Sequence, residues 1–139
     1  MQFIQIKYPE TALLQQFINE AGSSLTSFRY FQKRPLSVIQ NHLCTFLLIN
    51  DHKPVAYGHL DKEAETIWLG IAVSEAYKGK GLGLQMMNQL IGYAKQHNFK
   101  QIKLSVDNDN YSAVALYKKL GFVLSEQKET FSFYILNFS

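Results

Sequence analysis

Polar and apolar residues alternate from Phe3 to Lys7, which predicts a short strand, and the period then changes. Leu13, Leu14, Phe17 and Ile18 share one face of a helix that Pro9 opens and Gly22 ends. Leu25 to His42 is helical in pattern but carries Pro35 at its middle, which predicts two short helices or a helix with a break. Thr45 to Ile49, Val55 to Leu60 and Thr66 to Val73 read as three strands, and the polar stretches 50–54 and 61–65 suit hairpin turns. Helical spacing returns at Leu82, Met86, Met87, Leu90, Ile91 and Ala94, in a helix ending near His97. Ile102, Leu104 and Val106 form a strand, and a helix after Asn110 carries Ala113, Leu116, Tyr117 and Leu120 until Gly121 closes it. Phe122 to Ser125 and Phe131 to Phe138 are the last strands. The order, strand-helix-helix-three strands-helix-strand-helix-two strands, mixes a meander with crossover helices. It predicts an α/β (α+β) fold with a mixed sheet and helices on both faces. The final strand is apolar on both faces, so its edge should be paired or covered, and a homodimer is expected.

Composition narrows the function classes. A chain of 139 residues with 47% hydrophobic and 18% charged side chains supports one core, hence one domain over 1–139. The net charge of +3 is too small and too dispersed for a nucleic-acid binder. A single cysteine, Cys44, excludes an internal disulfide and sits among apolar neighbours, so it reads as a buried small residue. Neither a signal peptide nor a membrane-spanning run is visible, which leads to the expectation of a cytoplasmic protein without a membrane partner. One asymmetry stands out: both arginines, Arg29 and Arg34, lie between Ser27 and Arg34 with Lys33, Phe28, Tyr30 and Phe31.

Val73 to Gly83 reads VSEAYKGKGLG, a strand end, three glycines at every second position, and a helix start. Glycine permits left-handed backbone and close approach of a ligand, and the helix start adds unpaired amides and a positive dipole end. The turn therefore suits a phosphate or pyrophosphate, although a plain strand-to-helix loop is the simpler alternative. A dinucleotide fold is excluded by the absence of an acidic residue about twenty positions on, and a P-loop by the absence of Gly-Lys-Ser/Thr.

This turn resembles the pyrophosphate signature of the GCN5-related N-acetyltransferase (GNAT) superfamily: Gln or Arg, two residues, Gly, one residue, Gly or Ala. Here it stands as Lys78-Gly79-Lys80-Gly81-Leu82-Gly83, with Lys in place of Gln or Arg. A second signature follows in the right order, Asn110-Tyr111-Ser112-Ala113 and then Leu116-Tyr117 and Gly121-Phe122. The resemblance implies a mostly antiparallel mixed sheet of about seven strands, splayed between strands four and five, with helices on both faces. Acetyl-CoA or another acyl-CoA would lie in that cleft, with no metal. Its pantetheine would pair with the strand edge at Ile71 and Val73, and its pyrophosphate would sit on Lys78, Gly79, Lys80, Gly81, Leu82 and Gly83. Asn110 would contact the cofactor arm, and Tyr117 would protonate the departing thiolate. Without the resemblance, Tyr117 reads as a core aromatic on the buried stripe.

The acceptor amine needs to lose a proton. Val55, Tyr57, His59 and Asp61 are spaced to share one strand face, which sets His59 and Asp61 side by side as candidate bases or base and orienter. The alternative places His59 on a half-exposed strand and Asp61 in the turn; Glu75 and Ser105 are lesser candidates. Trp68 could line the acceptor pocket or fill the core. Arg29, Lys33 and Arg34 suit a diphosphate and Tyr30 or its neighbours a base, unless Phe28 and Phe31 pack inward and the cations are solvated. SFRYFQKRPLS followed by YGHLD resembles small acyltransferases that modify nucleotide-linked amino sugars for bacterial surface polysaccharides. That implies an acyl-CoA-dependent N-acyltransferase acting on such a sugar. The alternatives are acylation of a protein or peptide N-terminus or another small amine, and a CoA-binding sensor without catalysis.

Overall fold

The computed structural model describes residues 1–138. The alternating start forms β1 (Gln2–Gln5), and the first apolar stripe forms α1 (Ala12–Glu20), with Leu14 and Phe17 buried. The interrupted stretch holds one four-residue helix, α2 (Ser24–Ser27), then two 3-10 segments, Tyr30–Gln32 and Leu36–Asn41. Pro35 stands between these segments in extended backbone, φ −71 and ψ 159, and keeps them from joining.

Three long strands follow: β2 (His42–Asn50), β3 (Lys53–Glu63) and β4 (Thr66–Val73). Asp51 and His52 take positive φ, 50 and 67, the twist a two-residue hairpin requires. The second hairpin is tighter than its polar sequence predicts. β3 runs on to Glu63, so Asp61 stands inside the strand opposite Trp68, not in the turn. Val55 also departs from expectation: it packs in the core opposite to that of Tyr57, next to a register shift between Leu48 and Ile49.

α3 (Leu82–Gln96), β5 (Gln101–Asp107), α4 (Tyr111–Lys119), β6 (Val123–Gln127) and β7 (Phe131–Asn137) complete the chain. The seven strands lie in the order β1-β2-β3-β4-β5-β7-β6, antiparallel except where β4 meets β5. There the two strands share one register pair, Trp68 with Lys103, so the sheet is splayed between the fourth and fifth strands. β7 lies between β5 and β6 rather than at an edge. Both edges of β7 are thus paired within the chain, so the edge gives no argument for a second copy. No helix among the described residues is long and apolar enough to cross a membrane.

Each sheet face has its own core. α1 packs Leu14 and Phe17 with Leu47, Tyr57 and Ala72. α3 packs Leu82, Met86, Met87, Leu90 and Ala94 with Leu48, Leu60, Ile102 and Leu104. Each such buried side chain contributes about 1.5–3 kcal/mol, so α3 is fixed along its length. Cys44 is buried in this second core, and burial pushes its thiol up to about 12.

Gly58 sets the height of α3 above the sheet. A Cβ there would lie 2.6 Å from Met86 Sδ and 2.9 Å from Leu90 Cδ1. Gly58→Ala is therefore expected to destabilise the fold by about 1–3 kcal/mol in urea denaturation, the usual cost of overpacking. A midpoint equal to that of the parent chain would show that α3 does not rest on this contact.

Candidate active site

The glycine turn is a cradle. After β4 a short 3-10 turn, Glu75–Tyr77, leads to Gly79 and Gly81 at φ 77 and 78, and Gly81 caps α3 with no side chain on its first amides. A Cβ at Gly79 or Gly81 would meet nothing within 4 Å, so the backbone faces open space. Lys78, Gly79, Gly81, Leu82 and Gly83 line a cavity of about 730 Å³. That size suits a small-molecule site. Unpaired amides at a helix start beside Lys78 fit an anionic pyrophosphate. Lys80 is not in the lining; its ammonium lies 5.3 Å from the centre of the Tyr77 ring.

The same cavity follows the splay. Ile71 and Val73 line it from β4, beyond the last pairing with β5. Asn110 lines it too, while its side chain accepts a hydrogen bond from the Ala113 amide and caps α4. Tyr117 projects from α4, is only 7% exposed and packs on Phe122. Among the described residues nothing hydrogen-bonds its hydroxyl, and no buried polar atom is left sealed without a partner, so the hydroxyl opens on the cavity it lines. Burial pushes it up to about 12, and it stays protonated at neutral pH.

The lining also includes Arg29, Tyr30, Arg34, His59, Asp61, Glu63, Trp68 and Asp107. Lys33 is exposed and outside the lining. Arg29 is engaged: its guanidinium makes a two-pronged pair with Asp107, 2.9 and 3.1 Å, and also donates to the Thr26 carbonyl. Arg34 donates to the Tyr30 carbonyl at 3.0 Å and lies 4.3 Å over the Tyr30 ring. Sequence spacing gave no sign of Asp107, which is 78 residues from its partner. The segment of Arg29, Tyr30 and Arg34 shares the cavity with three acids, Asp61, Glu63 and Asp107. Trp68 lines the cavity and packs edge-on against Phe133 at 5.6 Å, outside both cores. Ser105 lines the cavity; Glu75 does not, and instead accepts from the Ser23 amide at 3.2 Å.

His59 differs from the half-exposed residue of the simpler sequence reading. It is 2% exposed, and the ring stacked on it, at 4.3 Å, is that of His42. Burial, then His42 and Arg34, hold its pKa well below the ordinary range, so it is not tuned for proton uptake near neutrality. His42 bonds Tyr30 through Nε2 and Thr45 through Nδ1, each at 2.8 Å, and burial lowers it to about 4. A lone histidine at a strand start has no spacing that would single it out. Asp61 is raised above the ordinary carboxyl range by burial and by Glu63, with the Tyr30 hydroxyl opposing. No cluster of metal-ligating side chains occurs among the described residues.

Comparison with known proteins places this geometry. Residues 10–122 match the Acetyltransferase (GNAT) family. A mycothiol acetyltransferase of Corynebacterium efficiens is 39% identical over 69 residues, 50% of this chain and 23% of that protein. A spermine/spermidine N(1)-acetyltransferase of Bacillus subtilis is 38% identical over 64 residues, 45% of this chain and 42% of that protein. The matched stretches thus span under a quarter of the first relative and less than half of the second. The fold matches the crystal structure of an acetyltransferase of the GNAT family from Streptococcus pneumoniae, with a TM-score of 0.77 over 99% of both chains at 19% identity.

The buried His59 and the half-buried His42 predict a pH dependence of stability. Unfolded, a histidine takes up a proton near pH 6.5; folded, His42 does so only near 4, and His59 behaves in the same direction. The unfolded chain binds more protons in that window, so stability is full above about pH 6.5 and falls as the pH drops toward 4. His42 alone corresponds to about 3 kcal/mol at the acid end. Urea midpoints at about pH 7.5 and about pH 5 should differ in that sense, and His42→Gln should shrink the difference.

Proposed function

The chain belongs to the Acetyltransferase (GNAT) family, and we propose that residues 1–139 act as one domain transferring an acyl group from acyl-CoA, acetyl-CoA in the simplest case, to a small-molecule amine. The observation that supports this is a single cavity lined by the phosphate cradle, the free edge of β4, the Tyr117 hydroxyl and Asp61. Bound acyl-CoA would supply the thioester that a neutral amine attacks directly.

The amides from Gly79 to Gly83 and the Lys78 ammonium would hold the pyrophosphate. Ile71 and Val73 would pair with the pantetheine amides, and Asn110 would meet the same arm. Tyr117, protonated throughout the neutral range, would give its proton to the departing thiolate. Asp61 would take the proton from the amine, directly or through water. Its pKa is raised toward the range a base needs.

Charge at the acceptor end favours an amine that carries no phosphate. Asp61, Glu63 and Asp107 outnumber Arg29 and Arg34 in the lining, and Arg29 is committed to Asp107. A nucleotide-linked amino sugar is the second reading, supported by the fact that both arginines still face the cavity. Its diphosphate would have to displace Asp107 from Arg29.

Incubation of the purified chain with acetyl-CoA and small amines, nucleotide-linked amino sugars and N-terminal peptides, followed by mass detection, tests the proposal. Small amines should be acylated most efficiently; retained CoA binding with no turnover on any class would instead make the chain a sensor. Tyr117→Phe is expected to lower kcat by about 100-fold or more with CoA affinity within about twofold. Gly81→Val, which places a branched side chain at φ 78, should cut CoA affinity at least about tenfold in calorimetry.

A further inference from the structure

The hydrogen-bond geometry around His59 fixes which of its nitrogens carries the hydrogen. Its Nδ1 lies 2.7 Å from the hydroxyl of Tyr57. Tyr57 is fully buried, packed against Phe17, Phe28 and Phe31, and among the described residues His59 is its one hydrogen-bond partner. A buried hydroxyl hydrogen without an acceptor is costly, so the Tyr57 O–H donates to Nδ1. A neutral imidazole that accepts at Nδ1 carries its hydrogen at Nε2. Nε2 has no protein partner, and no buried polar atom among the described residues is sealed without one, so Nε2 opens on the cavity that His59 lines.

The ring cannot turn away from this position. His42 stacks on it at 4.3 Å and Tyr30 lies at 4.5 Å. On β4, Gly70 stands opposite in register, and a Cβ there would come within 2.6 Å of His59 Cε1. Of the charged and titratable groups around it, His42 and Arg34 disfavour the imidazolium and burial does so most of all. Tyr30 and Tyr57 stay protonated, since burial raises both. His42 is held at both nitrogens, Nδ1 by the buried Thr45 hydroxyl and Nε2 by the Tyr30 hydroxyl, each at 2.8 Å.

We infer that His59 donates a hydrogen bond from Nε2 to an oxygen of the acceptor substrate, and that it is a substrate-binding donor and not the base. The inference rests on the acyltransfer reading above and narrows its acceptor class. A donor and a carboxylate two positions apart on one strand select an amine with an oxygen close by, as in an amino alcohol, over a plain alkylamine of the same length.

Imidazole nitrogen NMR of the unliganded chain at about pH 7 reads the tautomer without any turnover. His59, assigned by the signal that His59→Gln removes, should be neutral with the hydrogen on Nε2, and Tyr57→Phe should abolish that preference. An Nδ1–H tautomer or an imidazolium would overturn the inference. In the acylation assay, the parent chain should prefer 2-aminoethanol-type acceptors to matched alkylamines by about tenfold or more in kcat/KM. His59→Gln, a donor that cannot act as a base, should keep that preference and the acid limb of the pH profile; His59→Leu should lose the preference. Loss of turnover together with the acid limb in His59→Gln would identify His59 as the base. If no amine is acylated, the acyltransfer reading fails, and the tautomer alone still decides whether His59 presents a donor.

Discussion

Backbone amides and carbonyls in a sheet need partners, and β4 runs out of them on one side. It meets β5 at Trp68 and Lys103 and then diverges, leaving the edge from Leu69 to Val73 without a neighbouring strand. Everything that reads as a site follows from this gap. The glycine turn leaves β4 at the end of that free edge, α3 rises directly behind it, and α4 brings Tyr117 to the same cavity. The gap stays open because the rest of the sheet is firmly held: α3 is sunk into its core from Leu82 to Ala94 and sits close to β3 over Gly58.

Charge is distributed differently along the cavity. At the glycine turn, Lys78 and unpaired amides stand without an acid in the lining near them in sequence. At the other end the arginines are already matched, Arg29 by Asp107 and Arg34 by the carbonyl and ring of Tyr30. Two histidines there are kept neutral by burial, with Arg34 acting on both and His42 on His59. A neutral imidazole is useful there because it donates without adding charge beside an amine.

Local patterns were legible in the sequence and distant pairings were not. The glycines at 79, 81 and 83 mark a turn by spacing alone, since turn geometry is a property of adjacent residues, and the family resemblance is what reads it as a phosphate site. The helix of Leu82 to Ala94 and the meander of three strands were equally plain, because periodicity is local. The last strand was expected to have a paired or covered edge, and β5 and β6 supply the pairing; its apolar pattern could not say that the partners lie in the same chain. Arg29 shows the same limit more sharply. A cluster of cations looked free because the acid that binds one of them sits at the end of β5. His59 was recognised as a site residue, but its chemistry depends on Tyr57 and His42, whose contact with it is made by the fold.

The lone pairing between β4 and β5 also divides the chain's assembly. One plate of the sheet, β1 to β4, draws on residues 2–73, and the other, β5 to β7, on residues 101–137. Each plate is held by rows of register pairs, whereas one pair, Trp68 with Lys103, joins the two. The cleft exists only where the two plates meet and part, so a change that separates them removes the cleft while each plate keeps its own strand pairings.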